Sequence, residues 1–200
     1  NQSDWWRGAK GYCLKHGGDT CHVAPQGKIC RAAYSGDLAP ALLALGAEVE
    51  IAGAGGARRK PLAELYADDG AAPLRLAAGD IVVAVHLPDA APGLRSGYRK
   101  IRPRGAIDFP LAGIAAALRT RSGRVESLRV AITGTNSRPF VLEGTADLAG
   151  APLDDALFSA LGKLVQHQVR PLRTTAASAN YRRQVAVVLA QRLVRELTAI

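Results

Sequence analysis

The spacing of apolar residues along the chain separates three textures. Residues 1–33 follow neither a period of two nor one of 3.6 and are rich in Gly, Cys, His, Lys and Trp. A stretch of that length without periodicity reads as a long ordered loop, the kind of segment that usually carries function. From 34 to 95, short elements alternate with turns. Leu38 to Leu45 reads as a short helix with Asp37 as its N-cap and Gly46 as its stop. Ala47-Glu-Val-Glu-Ile51 alternates with period two and predicts a half-buried strand, followed by a turn over Gly53 to Gly56. Pro61 to Tyr66 predicts a brief helical turn, and Ile81-Val-Val-Ala-Val85 a buried strand closed by Pro88.

Residues 97–200 are the most regular. Tyr98 to Arg102 reads as a strand, and Leu111 to Thr120 with Val125 to Thr133 flank Ser122-Gly123 as an antiparallel hairpin. Three helices are expected to follow. One, Asp154 to Gln168, carries Ala156, Leu157, Ala160, Leu161, Leu164 and Val165 on a single stripe. The last, about Ala179 to Leu197, places Val185, Val188, Leu189, Val194 and Leu197 inward and Arg182, Arg183, Arg192 and Arg195 outward. Antiparallel strands followed by helices make the fold class α+β.

Composition adds a packed core, since 48% of residues are hydrophobic and 22% charged. No apolar run approaches the roughly 20 residues of a membrane helix, and the polar, aromatic start is unlike a signal peptide. The expectation is a cytoplasmic protein that avoids membranes. The absence of Met and the opening Asn-Gln-Ser-Asp-Trp-Trp lead us to expect a piece of a longer chain. A net charge of +9 invites a nucleic-acid reading. However, the arginines are scattered in ones and twos, only three Phe accompany them, and no nucleic-acid signature is present, so nucleic acid is not the expected partner. A basic face also suits an acidic protein partner.

Cys13, Cys21 and Cys30 are the only cysteines, spaced C-x7-C-x8-C. An odd number in a reducing compartment is poor disulfide material. Zinc favours closely spaced C-x2–4-C pairs, which are absent, although His16 and His22 offer further ligands. An iron–sulfur cluster calls for four thiolates. On chemistry alone the loop stays open between zinc, a cluster and three unligated thiols.

Longer motifs narrow the choice. Tyr12-Cys-Leu-Lys, Gly18-Asp-Thr-Cys-His-Val-Ala-Pro25 and Cys30-Arg-Ala-Ala-Tyr-Ser-Gly-Asp-Leu-Ala-Pro40, after the opening Asn1-Gln-Ser-Asp-Trp-Trp-Arg7, resemble the beta subunits of 4-hydroxybenzoyl-CoA reductases. These are FAD-binding subunits of the xanthine dehydrogenase, or molybdenum hydroxylase, superfamily. Ser35-Gly36-Asp37 resembles the superfamily's second FAD motif, in which the Asp contacts the cofactor. Gly79 to Pro88 resembles the strand that lays an aliphatic side chain, here Val82, against the flavin. Tyr98-Arg-Lys100 with Arg104 and Asp108 resembles the opening of the family's C-terminal domain, where Lys100 matches a flavin-contacting lysine. The Ser178-Ala-Asn-Tyr-Arg-Arg183 helix start is also typical of it.

The resemblance implies a cysteine-rich iron–sulfur loop at 1–33, part of an FAD-binding subdomain at 34–95, and a C-terminal domain at 97–200 with a three-stranded antiparallel sheet and a helical bundle. It implies FAD bound by Ser35, Gly36, Asp37, Val82 and Lys100, and a [4Fe–4S] cluster on Cys13, Cys21 and Cys30. The fourth cysteine and the Gly-rich pyrophosphate loop are expected upstream of Asn1. The family role is electron transfer: reduced ferredoxin delivers electrons through [4Fe–4S] and FAD to a large subunit with the molybdenum cofactor, beside a small subunit with [2Fe–2S] clusters. Trp5 and Trp6 then read as shields of the cluster or as an interface. The competing readings are the FAD subunit of an oxidising molybdenum hydroxylase (carbon monoxide, xanthine or aromatic dehydrogenase type) and a zinc-binding interaction module.

Overall fold

The computed structural model describes residues 3–21, 23–105 and 107–199. The predicted loop opens with a helix, α1 (Asp4–Lys10), started by Ser3, whose hydroxyl accepts the Trp6 N–H, and ended by Gly11 at φ 74°. A 3-10 turn follows at Leu14–His16. The sequence hid α1 because its seven residues carry no apolar stripe, only a cap and a C-terminal glycine.

Next come α2 (Leu38–Ala44), β1 (Glu48–Gly53) and β2 (Gly56–Pro61), then a 3-10 turn at Leu62–Leu65 and β3 (Ile81–His86). These strands form an antiparallel sheet in the order β2-β1-β3. Ile81 to Val85 was expected to be buried, but β3 is an edge strand, with Ile81, Val82, Val83 and Val85 all exposed. An unbroken apolar run marks a strand without saying whether a neighbour covers it. β2 was not foreseen, because Ala57-Arg-Arg-Lys60 does not alternate; it pairs residue for residue with β1.

The second half builds β4 (Arg95–Ile101), β5 (Ala112–Arg121), β6 (Arg124–Thr133), β7 (Phe140–Val141), α3 (Asp155–Gln168) and α4 (Ala179–Thr198). The predicted hairpin is there, turning at Ser122 (φ 50°) and Gly123. The sheet has four strands rather than three, in the order β4-β5-β6-β7, because Phe140–Val141 adds a short edge. Among the described residues two α-helices follow it, with a 3-10 turn at Ala146–Leu148 in place of the third, and they pack together against the sheet. Antiparallel sheets with segregated helices are the expected α+β class.

Both faces of β5 and β6 are covered. Ile114, Ala116, Leu118, Leu128, Val130 and Ile132 pack with α3 and α4 around Leu157, Leu161, Val165, Leu193 and Val194. The opposite face presents Ala115, Ala117 and Ala131 to α2, Val49 and Ile51. Alanines there let α2 approach closely, which fixes the position of its N-terminus. The α3 stripe is correct at Leu157, Leu161 and Val165, but Phe158 and Gly162 are buried where Ala156 was expected. In α4 the buried line is Arg182, Ala186, Ala190, Leu193, Val194 and Leu197, and Val188 is exposed. Arg182 is the sharpest correction: it was expected outward and is 3% exposed. Its guanidinium donates to the carbonyls of Leu111 (3.0 Å), Leu172 and Gly134, tying the α4 start to three connecting segments. Among the described residues no helix is long and apolar enough to cross a membrane.

Candidate functional site

Residues Tyr34 to Asp37 run past the end of β6 and are stitched to it. The Tyr34 N–H donates to Asn136 O (2.9 Å), the Gly134 N–H to Tyr34 O (2.9 Å), and the Thr133 hydroxyl to Gly36 O (3.0 Å). A Cβ on Gly36 would stand 2.5 Å from the Tyr34 hydroxyl, so any side chain there would push the Tyr34 ring aside. Asp37 occupies the predicted N-cap position of α2, yet its side chain makes no cap hydrogen bond. The carboxylate reaches sideways instead, accepting from the Tyr98 hydroxyl at 2.7 Å and from the Lys100 amine.

Strand geometry explains this meeting. Tyr98 and Lys100 are two apart on β4 and share the sheet face that looks toward α2. Lys100 also donates to Asp108 O (3.1 Å), and Asp108 pairs with Arg104 at 3.2 Å, so the loop after β4 folds back on the lysine. Opposite Lys100 in the register stands Gly113, where a Cβ would come within 2.6 Å of both the Tyr98 hydroxyl and Thr133 Cγ2. Burial opposes the charge on Asp37, but hydrogen bonds from Lys100 and Tyr98 and the charges of Lys100 and Arg102 outweigh it and hold the carboxyl below its ordinary value. Burial, then the bond to Asp37, pushes the Tyr98 phenol up.

Ser35, Gly36, Asp37 and Lys100 therefore share one corner of the fold. Val82 stands on the other sheet, opposite Ile51 on β1 and 39% exposed. Tyr98 was read as part of a strand and of the Tyr98-Arg-Lys100 motif but not as a site residue; its two-residue offset from Lys100 was the available signal. A cavity of about 210 Å3 lies between this corner and the cysteine loop, lined by Lys15, Tyr34, Ser35, Gly36, Gly70 and Ser137.

The loop itself is ordered by backbone bonds. Leu14 N–H and Thr20 N–H bond to Thr20 O and Tyr12 O, placing Thr20 beside Cys13. A Cβ on Gly18 would sit 2.2 Å from the Tyr12 carbonyl carbon, so only glycine fits there. Cys30 is anchored from the next segment by Asp69, whose carboxylate accepts its N–H at 3.1 Å. All three thiols are free and buried, at 4%, 6% and 4% exposure for Cys13, Cys21 and Cys30. Arg7, which no sequence signal singled out, donates to Cys13 Sγ at 2.9 Å, and the Ala32 N–H donates to Cys30 Sγ at 3.5 Å. Burial resists ionisation of Cys13, but the backbone of Lys15, the Arg7 guanidinium and the backbone of His16 prevail and hold its thiol below the usual value. Such N–H···S contacts around buried thiols suit thiolate ligation.

Neither zinc nor a cluster has a gathered ligand set among the described residues: no three His, Cys, Asp or Glu side chains come together so as to hold a metal ion. His16 faces Asp4 at 3.8 Å, and His22 lies outside the described residues. Trp5 is exposed, and Trp6 lies under Lys10, 5.7 Å from its ammonium.

Known families fall on the same two halves. Residues 97–197 match the CO dehydrogenase flavoprotein C-terminal domain, and residues 24–90 the FAD binding domain in molybdopterin dehydrogenase. This chain belongs to the FAD-binding medium subunits of the molybdenum hydroxylase family. It is 27% identical over 172 residues to the glyceraldehyde dehydrogenase medium chain of Sulfolobus acidocaldarius, covering 86% of this chain and 60% of that one. Likewise, it is 27% identical over 175 residues to the xanthine dehydrogenase FAD-binding subunit of Escherichia coli, covering 86% and 59%. The fold superposes on CO dehydrogenase from Oligotropha carboxidovorans with a TM-score of 0.76 at 25% identity, over 82% of this chain and 56% of that one. The chain thus spans under two thirds of these relatives. Residues 1–23, with Cys13 and Cys21, lie outside both family ranges.

Proposed function

We propose that this chain is the larger part of an electron-transfer subunit of a molybdenum hydroxylase of the 4-hydroxybenzoyl-CoA reductase type. The observation that carries the flavin role is the meeting of Asp37 and Lys100, one from each family segment, at a corner where the carboxylate has given up its capping bond. Each Asp37 oxygen accepts one bond here and has room for another, which suits a ribityl or ribose hydroxyl. Lys100 spends two of its three donors on Asp37 and Asp108, and the third suits an acceptor on a flavin edge. Its positive charge would stabilise a reduced, anionic ring. Val82, on the exposed face of β3, offers the aliphatic contact. When bound, FAD supplies two-electron storage with one-electron release; the chain's own residues orient it and bias its charge.

The reductase branch rests on the cysteine loop. The [4Fe–4S] cluster on these three buried thiols and a fourth cysteine from outside these residues rests on the family resemblance, since among the described residues no three such ligands gather to hold a metal. Partner subunits would then carry the molybdenum cofactor and [2Fe–2S] clusters, with reduced ferredoxin as donor. The assembled complex is expected to reduce 4-hydroxybenzoyl-CoA by two electrons and two protons to benzoyl-CoA and water. Oxidation of carbon monoxide, xanthine or an aldehyde with an acceptor dye, and no such reduction, would contradict the reductase type while leaving the flavin role intact. That second reading, an oxidising hydroxylase, is favoured by the dehydrogenases to which the chain is similar.

A further inference from the structure

We propose that Arg58 and Asp80 are positioning residues for Val82: their ion pair fixes the start of β3 so that a bulge at Val83 sets Val82 on the sheet face it presents to the flavin. The inference rests on the Val82 contact proposed above and goes beyond it, since neither Arg58 nor Asp80 is itself assigned to the cofactor.

The strand register carries the point. In β3, Val85 stands opposite Val49 and Ala84 opposite Glu50, yet Ile51 faces Val82, so Val83 is the extra residue of a bulge. Residues directly opposite on an antiparallel pair share a face. Val49 and Ile51 are fully buried on the core face, and the bulge places Val85 and Val82 on that same face. Regular pairing would set Val83 opposite Ile51 and turn Val82 to the other side, because side chains alternate with a period of two.

Trapping one extra residue requires that the strand be held on both sides of it. Beyond the bulge, His86 Nε2 bonds Glu50 Oε2 at 2.6 Å, and Arg59 reaches the same carboxylate at 3.4 Å. Before it, Arg58 of β2 reaches across the intervening β1 and donates to both oxygens of Asp80. The Asp80 side chain is only 5% exposed and also accepts the Ala77 N–H at 2.9 Å. Gly53 of β1 makes the crossing possible, since a Cβ there would strike the Asp80 carboxylate. The anchor at Asp80 is the one that holds Val82. Without it the first half of β3 would advance by one residue and straighten, whereas loosening at His86 would shift only Ala84 and Val85.

The test titrates FAD into the full-length subunit after its removal, in wild type, Val82→Ala, Arg58→Met, and Arg58→Met lacking Val83. Val82→Ala is expected to weaken FAD binding about tenfold, the worth of roughly two methyl groups. Arg58→Met is expected to match it. Deleting Val83 from Arg58→Met leaves no residue to slip and keeps Val82 opposite Ile51, so FAD affinity is expected to recover. A merely structural role for Arg58 would give the opposite result, because a deletion adds to any general destabilisation. Wild-type affinity in Arg58→Met, or a deletion that deepens its loss, overturns the inference alone. If Arg58→Met does not fold, deletion of Val83 from wild type decides the matter: retained FAD affinity supports the inference and lost affinity overturns it. Wild-type affinity in Val82→Ala overturns the Val82 contact itself, and this inference with it.

Discussion

Arg182 bonds three carbonyls from the interior, and a cation in that position is tolerated only because its donors are spent on backbone acceptors. Arg182→Met would keep much of the volume and strand those carbonyls. We expect a loss of about 3–5 kcal/mol, each stranded buried acceptor costing about 1–3 kcal/mol, read as a lower denaturant midpoint. A loss under about 1 kcal/mol would mean water replaces the guanidinium. Asp37 is the opposite case, a half-exposed carboxylate whose neighbours matter more for binding than for folding. Asp37→Asn is expected to weaken FAD binding about tenfold, equivalent to about 1.4 kcal/mol, by flavin titration. Because the folded carboxyl lies below its ordinary 3.8, the stability it contributes is complete above about pH 3.8 and fades as pH falls through the lower folded value. Wild type and Asp37→Asn should therefore converge in stability at the acid end and separate above it. A constant gap across that range would remove the charge from the explanation.

At the scale of elements, the site depends on how close α2 lies to the main sheet. Gly113 makes room for both the Tyr98–Asp37 bond and Thr133, which itself holds the Gly36 carbonyl. Gly113→Ala is expected to cost about 1–3 kcal/mol as overpacking. It should also reduce flavin content, since both tethers of the Ser35–Asp37 turn must move. Full flavin content in that variant would separate the turn from the cofactor. Much of this architecture was legible in the sequence. The β5–β6 hairpin announced itself through apolar runs around Ser122-Gly123, and α2 through Asp37 and Gly46. The inward line of α4 was not, because it is built on Ala186, Ala190 and a buried arginine, which hydrophobicity ranks below the valines beside them. The exposure of β3 and the pairing of Asp37 with Lys100 depend on contacts 30 to 60 residues away, which no local period encodes. The family resemblance carried the site residues; chemistry alone would have left Asp37 a cap.

Taken as a whole, the molecule is a basic chain of net charge +9 that spans 60% of its glyceraldehyde dehydrogenase relative. If an acidic ferredoxin docks on that surface, the rate of electron entry should fall steeply as ionic strength rises, because opposite charges steer the encounter. A rate insensitive to salt would remove electrostatic steering from the account. The central claim, a flavin subunit with an added iron–sulfur centre, is tested most directly by anaerobic quantification of iron, sulfide and FAD on the full-length subunit. The account predicts about four irons and four sulfides per FAD, with Cys13, Cys21 and Cys30 among the ligands. FAD without iron would contradict the cluster and leave three buried thiols on a flavin subunit of the oxidising kind; a subunit with neither would contradict the account entirely.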